Sequence, residues 1–183
     1  MSEIFIVKWL SLFLAGMLIA AVLIAGCTDE EPPGSAPDAV NFQPGQVLYT
    51  TGEVTGDGIA GGTIDTITFT VGLAPGEKPV NMENLSIVYA DAIRTETLVP
   101  VNGYRGDPPA GSWGIMQVTN EIGKPNNRLE DKELLVIRIN PKAPLVPRQL
   151  ISIVVKPPSG PPLTLRRVSP PSILKENNIL GPL

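Results

Sequence analysis

Ile24-Ala25-Gly26-Cys27 is the set of residues best suited to chemistry, and Cys27 is the only cysteine among 183 residues. Aliphatic, small, small, cysteine is the lipobox pattern. Ala25 and Gly26 suit a peptidase that needs a narrow, extended substrate, and the freed Cys27 thiol is then a candidate for lipidation. The reading that competes with this one is an uncleaved membrane helix ending in an inert, buried thiol. Other chemistry is sparse. Histidine is absent, which removes the commonest general base and the commonest transition-metal ligand. No Ser/His/Asp or Cys/His set can therefore be assembled. Gly56-Asp57-Gly58 and Gly61-Gly62 are not followed by a Lys-Ser/Thr step, so they form no phosphate loop and read as a flexible strand connection. Glu130, Asp131 and Asp57 lack the spacing of an EF-hand loop and read as solvated turn carboxylates. Trp113 and Tyr104 offer a sugar-stacking pair, but core or loop packing is the stronger reading. The chain is expected to be no enzyme and to hold no cofactor or metal.

The element that must position Cys27 is the stretch before it. MSEIFIVKWLSLFLAGMLIAAVLIAGC carries no charge from Trp9 to Ala25, and Lys8 lies just before that run. About 17–19 apolar residues can just cross a hydrocarbon core roughly 30 Å thick. That is also long for a secretory h-region of about 7–15 residues, so an N-terminal hydrophobic helix is expected over 1–27, as signal anchor or as lipoprotein signal. Lys8 before the span and Asp29, Glu30 and Glu31 after it orient the chain with its N-terminus inside. Residues 28–46, TDEEPPGSAPDAVNFQPGQ, form a Pro-rich acidic linker. Largely extended, at ~3.1 Å per residue, it lifts the remainder of the chain roughly 50 Å from the membrane.

With a net charge of −4, the chain lacks the basic patch that nucleic-acid binding requires. With 20 Pro and 18 Gly, it should hold many turns and few long helices. Short apolar runs recur between these breakers: VLYTTGEVTG (47–56), TIDTITFTVGL (63–73), NLSIVYA (84–90), ETLVPV (96–101), SWGIMQVTN (112–120), ELLVIRIN (133–140), QLISIVVK (149–156) and PLTLRRV (162–168). Ile67, Phe69, Val71 and Leu73 share one face, with Thr66, Thr68 and Thr70 on the other, and Ile151, Ile153 and Val155 alternate in the same way. Strands at this spacing, with nothing between them long enough for a βαβ crossover, predict a mainly β fold, an immunoglobulin-like antiparallel β-sandwich over 47–174. Lys156-Pro157-Pro158-Ser159-Gly160 reads as a turn with Gly160 at positive φ, and Pro161-Pro162 delay the last strand to about Leu163. Residues 175–183, KENNILGPL, read as a loose C-terminal tail.

Two of these segments carry a family resemblance. ITFTVGLAPGEKPVNMENLSIVYAD (67–91) resembles the outer domain of archaellins, the archaeal flagellins, with a strand, a Gly/Pro turn and a strand ending in Tyr and Asp. ISIVVKPPSGPPLTLRRVSPPSI (151–173) is similar to that family's terminal hairpin. The resemblance covers roughly 47–174 and implies a structural role in motility, as a filament subunit of the archaellum or an archaellum-associated variant with other archaellin subunits as partners. It also implies N-glycosylation, for which Asn84-Leu85-Ser86 is the single sequon. The N-terminus departs from the family pattern: no Lys-Gly or Arg-Gly step precedes the apolar run, and Asp29 to Pro33 stop it. The alternative is therefore a membrane-tethered cell-surface lipoprotein that uses the same β-domain for binding. In both readings the domain lies outside the cell, held to the membrane by its N-terminus.

Overall fold

The structure, a computed structural model, describes residues 45–121 and 123–183. The expected N-terminal helix, Cys27 and the linker up to residue 44 lie outside the described residues. The strands are β1 Leu48–Gly58, β2 Ile64–Leu73, β3 Val80–Asn81, β4 Ser86–Asp91, β5 Thr95–Arg105, β6 Ser112–Thr119, β7 Arg128–Leu129, β8 Leu134–Asn140, β9 Leu150–Lys156, β10 Leu163–Val168, β11 Asn178–Ile179 and β12 Gly181–Pro182. A 3-10 turn, Met82–Asn84, precedes β4.

The fold is mainly β, built on one large sheet that is antiparallel at all but one pair. Its order is β11-β1-β2-β8-β6-β5-β4-β9-β10-β12, and β3 pairs with β7 in a separate short ladder. Alternation decides which face turns inward. Ile67, Phe69, Val71 and Leu73 of β2 are buried, as are Ile137 and Ile139 of β8 and Ile151, Ile153 and Val155 of β9, while Thr66, Thr68 and Thr70 keep partial exposure. Register places Phe69 opposite Ile137 and Tyr89 opposite Ile153. The inward side chains of all the long strands meet in one core around Trp113, Tyr89 and Phe69.

Three findings depart from the sequence reading. The first is that β5 and β6 pair in parallel, Val99 with Ser112 and Arg105 with Ile115. A six-residue return, 106–111, is far shorter than a parallel connection normally needs. It works because β5 breaks register between Pro100 and Arg105, where Gly103 and Tyr104 both take positive φ (71° and 50°). The first part of β5 thus serves β4 (Leu98 opposite Ile87) and the second part β6.

The second concerns the expected loose tail. Residues 178–182 pair with both margins of the sheet: Asn178 and Ile179 with Gly56 and Thr55 of β1, Gly181 and Pro182 with Val168 and Arg167 of β10. Between those two ladders the Leu180 amide donates to Val54 O at 2.8 Å, and the Leu180 side chain is 1% exposed. One short segment therefore joins β1 to β10 and leaves neither as an open edge, the arrangement that suppresses edge-to-edge pairing. Leu180 and the hydrogen-bonded Asn178 are the buried residues that hold it, while Ile179 between them faces outward.

The third is that Gly56-Asp57-Gly58 is no flexible connection but the end of β1. A Cβ on Gly58 would stand 2.0 Å from Thr63 O, and one on Gly56 would stand 2.5 Å from Ile64 Cγ2, so close backbone approach at Gly58 and side-chain packing at Gly56 favour glycine there. The turn at 156–160 forms as expected: Gly160 has φ +89° and β10 begins at Leu163.

Candidate assembly surface

The strand connections fall into two groups at opposite ends of the sheet. The chain enters the domain at Val47-Leu48. Val47 O accepts from Ala74 N, and Gly160 packs against Val47, so the β2–β3 and β9–β10 links lie at this entry pole. The far pole is built from the β1–β2 turn, the β4–β5 turn and the stretches 141–149 and 169–177. Hydrogen bonds from Gly61 N to Ile173 O, Leu145 N to Ile64 O and Arg148 N to Pro170 O tie these loops together.

Asp91 is the centre of that tie. Its side chain has no exposed surface. Oδ1 accepts from the Ile93 and Arg94 amides, both at 3.0 Å; Oδ2 accepts from Arg94 Nε at 2.6 Å and from Gln149 Nε2 at 3.1 Å. An aspartate that bonds its own backbone two and three residues on shapes the β4–β5 turn, and its second oxygen links that turn to the start of β9. Burial acts to raise the Asp91 pKa, but the Ile93 amide, the Arg94 side-chain and amide hydrogen bonds and the Arg94 charge outweigh it and hold the carboxyl below its ordinary value. The Gln149 side chain also accepts from Val146 N, and Ser169 Oγ donates to Val146 O at 2.6 Å while accepting from Gln149 N. The far pole is thus a hydrogen-bonded platform on which the loop side chains are fixed.

The platform presents exposed aliphatic side chains together with charged ones such as Arg148, Lys175 and Glu176. Ile59, Ile93, Val146, Leu150 and Leu174 are five of the nine large hydrophobic residues found exposed among the described residues, and Ile93 is 87% exposed. None of the nine sits on the entry-pole loops. Scattered exposed apolar residues are ordinary, whereas five at one end make that end the candidate interaction surface.

The remaining residues singled out from the sequence separate in space. Asn84 is exposed and ends the 3-10 turn, with β4 starting two residues later at Ser86, so the sequon sits beside the entry pole rather than inside a strand. Asp57 faces Arg138 at 3.7 Å and accepts from the Asn177 amide at 2.8 Å; Arg138 also reaches Asp107 Oδ1 and Thr68 Oγ1, both at 3.1 Å. Glu130 and Asp131 lie in the turn before β8, away from Asp57. Among the described residues no group of three Asp, Glu, Cys or His side chains is placed to hold a metal ion. Trp113 (1% exposed) and Tyr104 (8%) are core residues rather than a stacking surface. The tie through Asp91 and Gln149 was not legible in the sequence; the Asp91-Ala92-Ile93-Arg94 turn was its one local signal.

Comparison with known proteins agrees with this architecture. Residues 46–167 match the family described as archaeal-type flagellin. No curated protein sequence matches significantly. Among solved structures, the chain is similar to the flagellin FlaB1 of Methanocaldococcus jannaschii, with 14% identity and a TM-score of 0.53 over 72% of this chain and 95% of that one. It is also similar to the archaeal flagellum of Methanospirillum hungatei strain JF1, with 15% identity and a TM-score of 0.51 over 72% of this chain and 70% of that one. At such identities the likeness concerns the fold, whereas the family match spans most of the chain. The chain belongs to the archaeal-type flagellin family, and so to the structural, non-enzymatic proteins of the archaellum at the cell surface.

Proposed function

We propose that this chain is a filament-type subunit whose apolar segment 1–27 holds it in place, whose linker 28–46 spaces it, and whose β-domain meets a neighbouring subunit through the far pole. The observation that carries this reading is the gathering of exposed aliphatic residues at the pole opposite the point where the chain enters. A domain tied at one end and apolar at the other presents its contact surface away from its attachment. A glycan on Asn84, beside the entry pole, would leave that surface uncovered. The immunoglobulin-like sandwich is the finer form of the fold in this reading: β1, β2, β8 and β6 make one run, β4, β9 and β10 the other, with β5 shared along one margin and residues 178–182 along the other. The domain then extends from 47 through 182.

The test is the intact mass of the native protein, taken separately from sheared surface filaments and from washed membranes. A filament-associated chain retaining its apolar segment is expected. Ile93→Asp combined with Leu150→Asp should lower recovery in filaments while leaving the purified protein folded; unchanged recovery would remove the far pole from the contact. The second reading, a lipoprotein tethered through Cys27, is favoured by the Ile24-Ala25-Gly26-Cys27 sequence and the acidic, Pro-rich stretch behind it. It predicts a membrane-associated chain beginning at Cys27 with added lipid mass, and Cys27→Ser should then abolish that added mass.

A further inference from the structure

The segment that joins the two margins of the sheet is held by few contacts. Two register pairs bind it to β1 and two to β10. Its polar anchor is Asn178, 2% exposed, whose Nδ2 donates to Gly56 O at 2.9 Å and to Leu174 O at 2.8 Å while Oδ1 accepts from Leu174 N at 2.6 Å. Its apolar anchor is Leu180, inserted where Gly56 leaves room: a Cβ on Gly56 would come within 3.2 Å of Leu180 Cδ1. The family match ends at Arg167, within β10. The groove between β1 and β10 therefore belongs to the shared domain, whereas the strand that fills it lies beyond the shared region. Residues 169–177, which lead to that strand, contribute no residue to any ladder. At about 3.3 Å per residue such a stretch reaches ~30 Å when extended, enough to carry the strand across to an adjacent domain. The segment and its lead also leave Leu174, Ile179 and Leu183 exposed while packed on their own domain.

We propose that the β1–β10 groove is a strand-acceptor site and that Asn178–Pro182 is its donor, exchanged between neighbouring copies of this chain. The occupant is identified by the groove itself: backbone pairing on two margins, a pocket for one leucine and the Gly56 carbonyl for one asparagine amide. The donor pairs with the groove in the same way whichever copy supplies it, so exchange gives up only the ties of the lead to its own domain, such as Gly61 N to Ile173 O and Gly58 N to Lys175 O, gains contact for the outward aliphatic residues and is driven by the closeness of copies. The inference rests on the reading of the chain as one that works among adjacent copies.

The test uses the full chain, purified in detergent, with Cys27→Ser as background. One preparation carries Thr55→Cys and another Ile179→Cys, residues that face each other in register. The two are mixed, concentrated and oxidised. Exchange predicts mixed disulfide dimers severalfold above those of a control mixture in which Thr97→Cys replaces Thr55→Cys. An excess of the peptide spanning Glu176–Leu183 should suppress them, whereas the same peptide with Leu180→Asp should not. Mixed dimers at the control level, or dimers indifferent to the peptide, would overturn the proposal and leave the donor on its own domain. If either substitution prevents folding, Arg167→Cys mixed with Pro182→Cys tests the other ladder of the same donor. The double variant Thr55→Cys/Ile179→Cys, recovered from cells, separates the two readings: intrachain disulfides in filament-borne protein would sink exchange alone, and absence from filaments would sink the filament reading alone.

Discussion

Replacing Asp91 with Asn keeps the shape of the side chain and removes its charge. The substitution touches four hydrogen bonds, two to backbone amides and two to side chains. They do not weigh equally. The Ile93 amide is at an exposed position and can turn to water, and the Arg94 side chain keeps 31% of its surface exposed, so its loss of a partner is discounted for solvent screening. The Arg94 amide and the Gln149 side chain are part-buried and stand to lose a partner. An Asn amide can present one acceptor oxygen where the carboxylate presents two, so it satisfies one pair only and sets an NH₂ against donors on the other side. A buried group left unpaired costs about 1–3 kcal/mol, which gives about 2–3 kcal/mol for Asp91→Asn. In a domain of this size 1 kcal/mol is worth about 4 °C, so the midpoint of thermal unfolding, followed by circular dichroism, should fall about 10 °C at neutral pH. The acid limb supplies a second readout. The Asp91 pKa is lower folded than unfolded, so the folded state binds fewer protons there; the contribution is present above the unfolded value and is lost as pH falls through the folded one. The wild-type protein should therefore lose part of its stability below about pH 4, and the variant should lack that part. A midpoint shift of less than 2 °C at neutral pH, or identical acid limbs, would refute the assignment of Asp91 as the tie of the far pole.

Leu180→Ala removes a buried leucine and should cost about 2–4 kcal/mol, but only up to the free energy that holds the closing segment in place. Amide exchange in β11 and β12 should therefore quicken much more than exchange in β2 and β8; uniform quickening would mean that the segment unfolds only with the whole domain. Tyr89 Oη and Trp113 Nε1 are buried without a hydrogen-bond partner among the described residues, so Tyr89→Phe removes an unpaired group and should hold or raise stability at neutral pH; a loss above about 1 kcal/mol would mean that the hydroxyl is bonded after all. Burial, and then the charge on Asp91, push the Tyr89 pKa up. The unfolded chain thus ionises first as pH rises past about 10, wild-type stability falls from there, and the Phe variant should lack that component. Asn84→Gln should remove any glycan mass while leaving the melting midpoint within about 1 °C, because the side chain is exposed; a large destabilisation would tie Asn84 to folding.

Much of the sheet was legible because its long strands are half-buried, and half-burial writes a period of two into the sequence. Thr66 to Leu73 and Ile151 to Val155 announce their inward faces by alternation alone, and Pro161-Pro162 announce where β10 begins. The illegible parts share a cause. A ladder of two residues, such as Val80-Asn81 with Arg128-Leu129, is too short to carry a period. The parallel β5–β6 pair depends on the register break at Gly103-Tyr104, and the nearby glycines at 106 and 111 advertise turns without saying which strand the turn returns to. The closing segment misleads more deeply. In Asn178-Ile179-Leu180 the polar residue is buried (2% exposed) and the neighbouring isoleucine is exposed (54%), the reverse of what residue type suggests. Burial of Asn178 is tolerable only because Gly56 O and the Leu174 backbone satisfy its amide, and Gly56, 122 residues away, arrives from a part of the chain that sequence proximity or periodicity cannot bring there. The same argument bears on the role of the far pole. Its loops are held by Asp91 and Gln149, 58 residues apart, so the apolar residues it presents lie in segments that look unrelated in sequence and reach one end of the sheet only after it has closed.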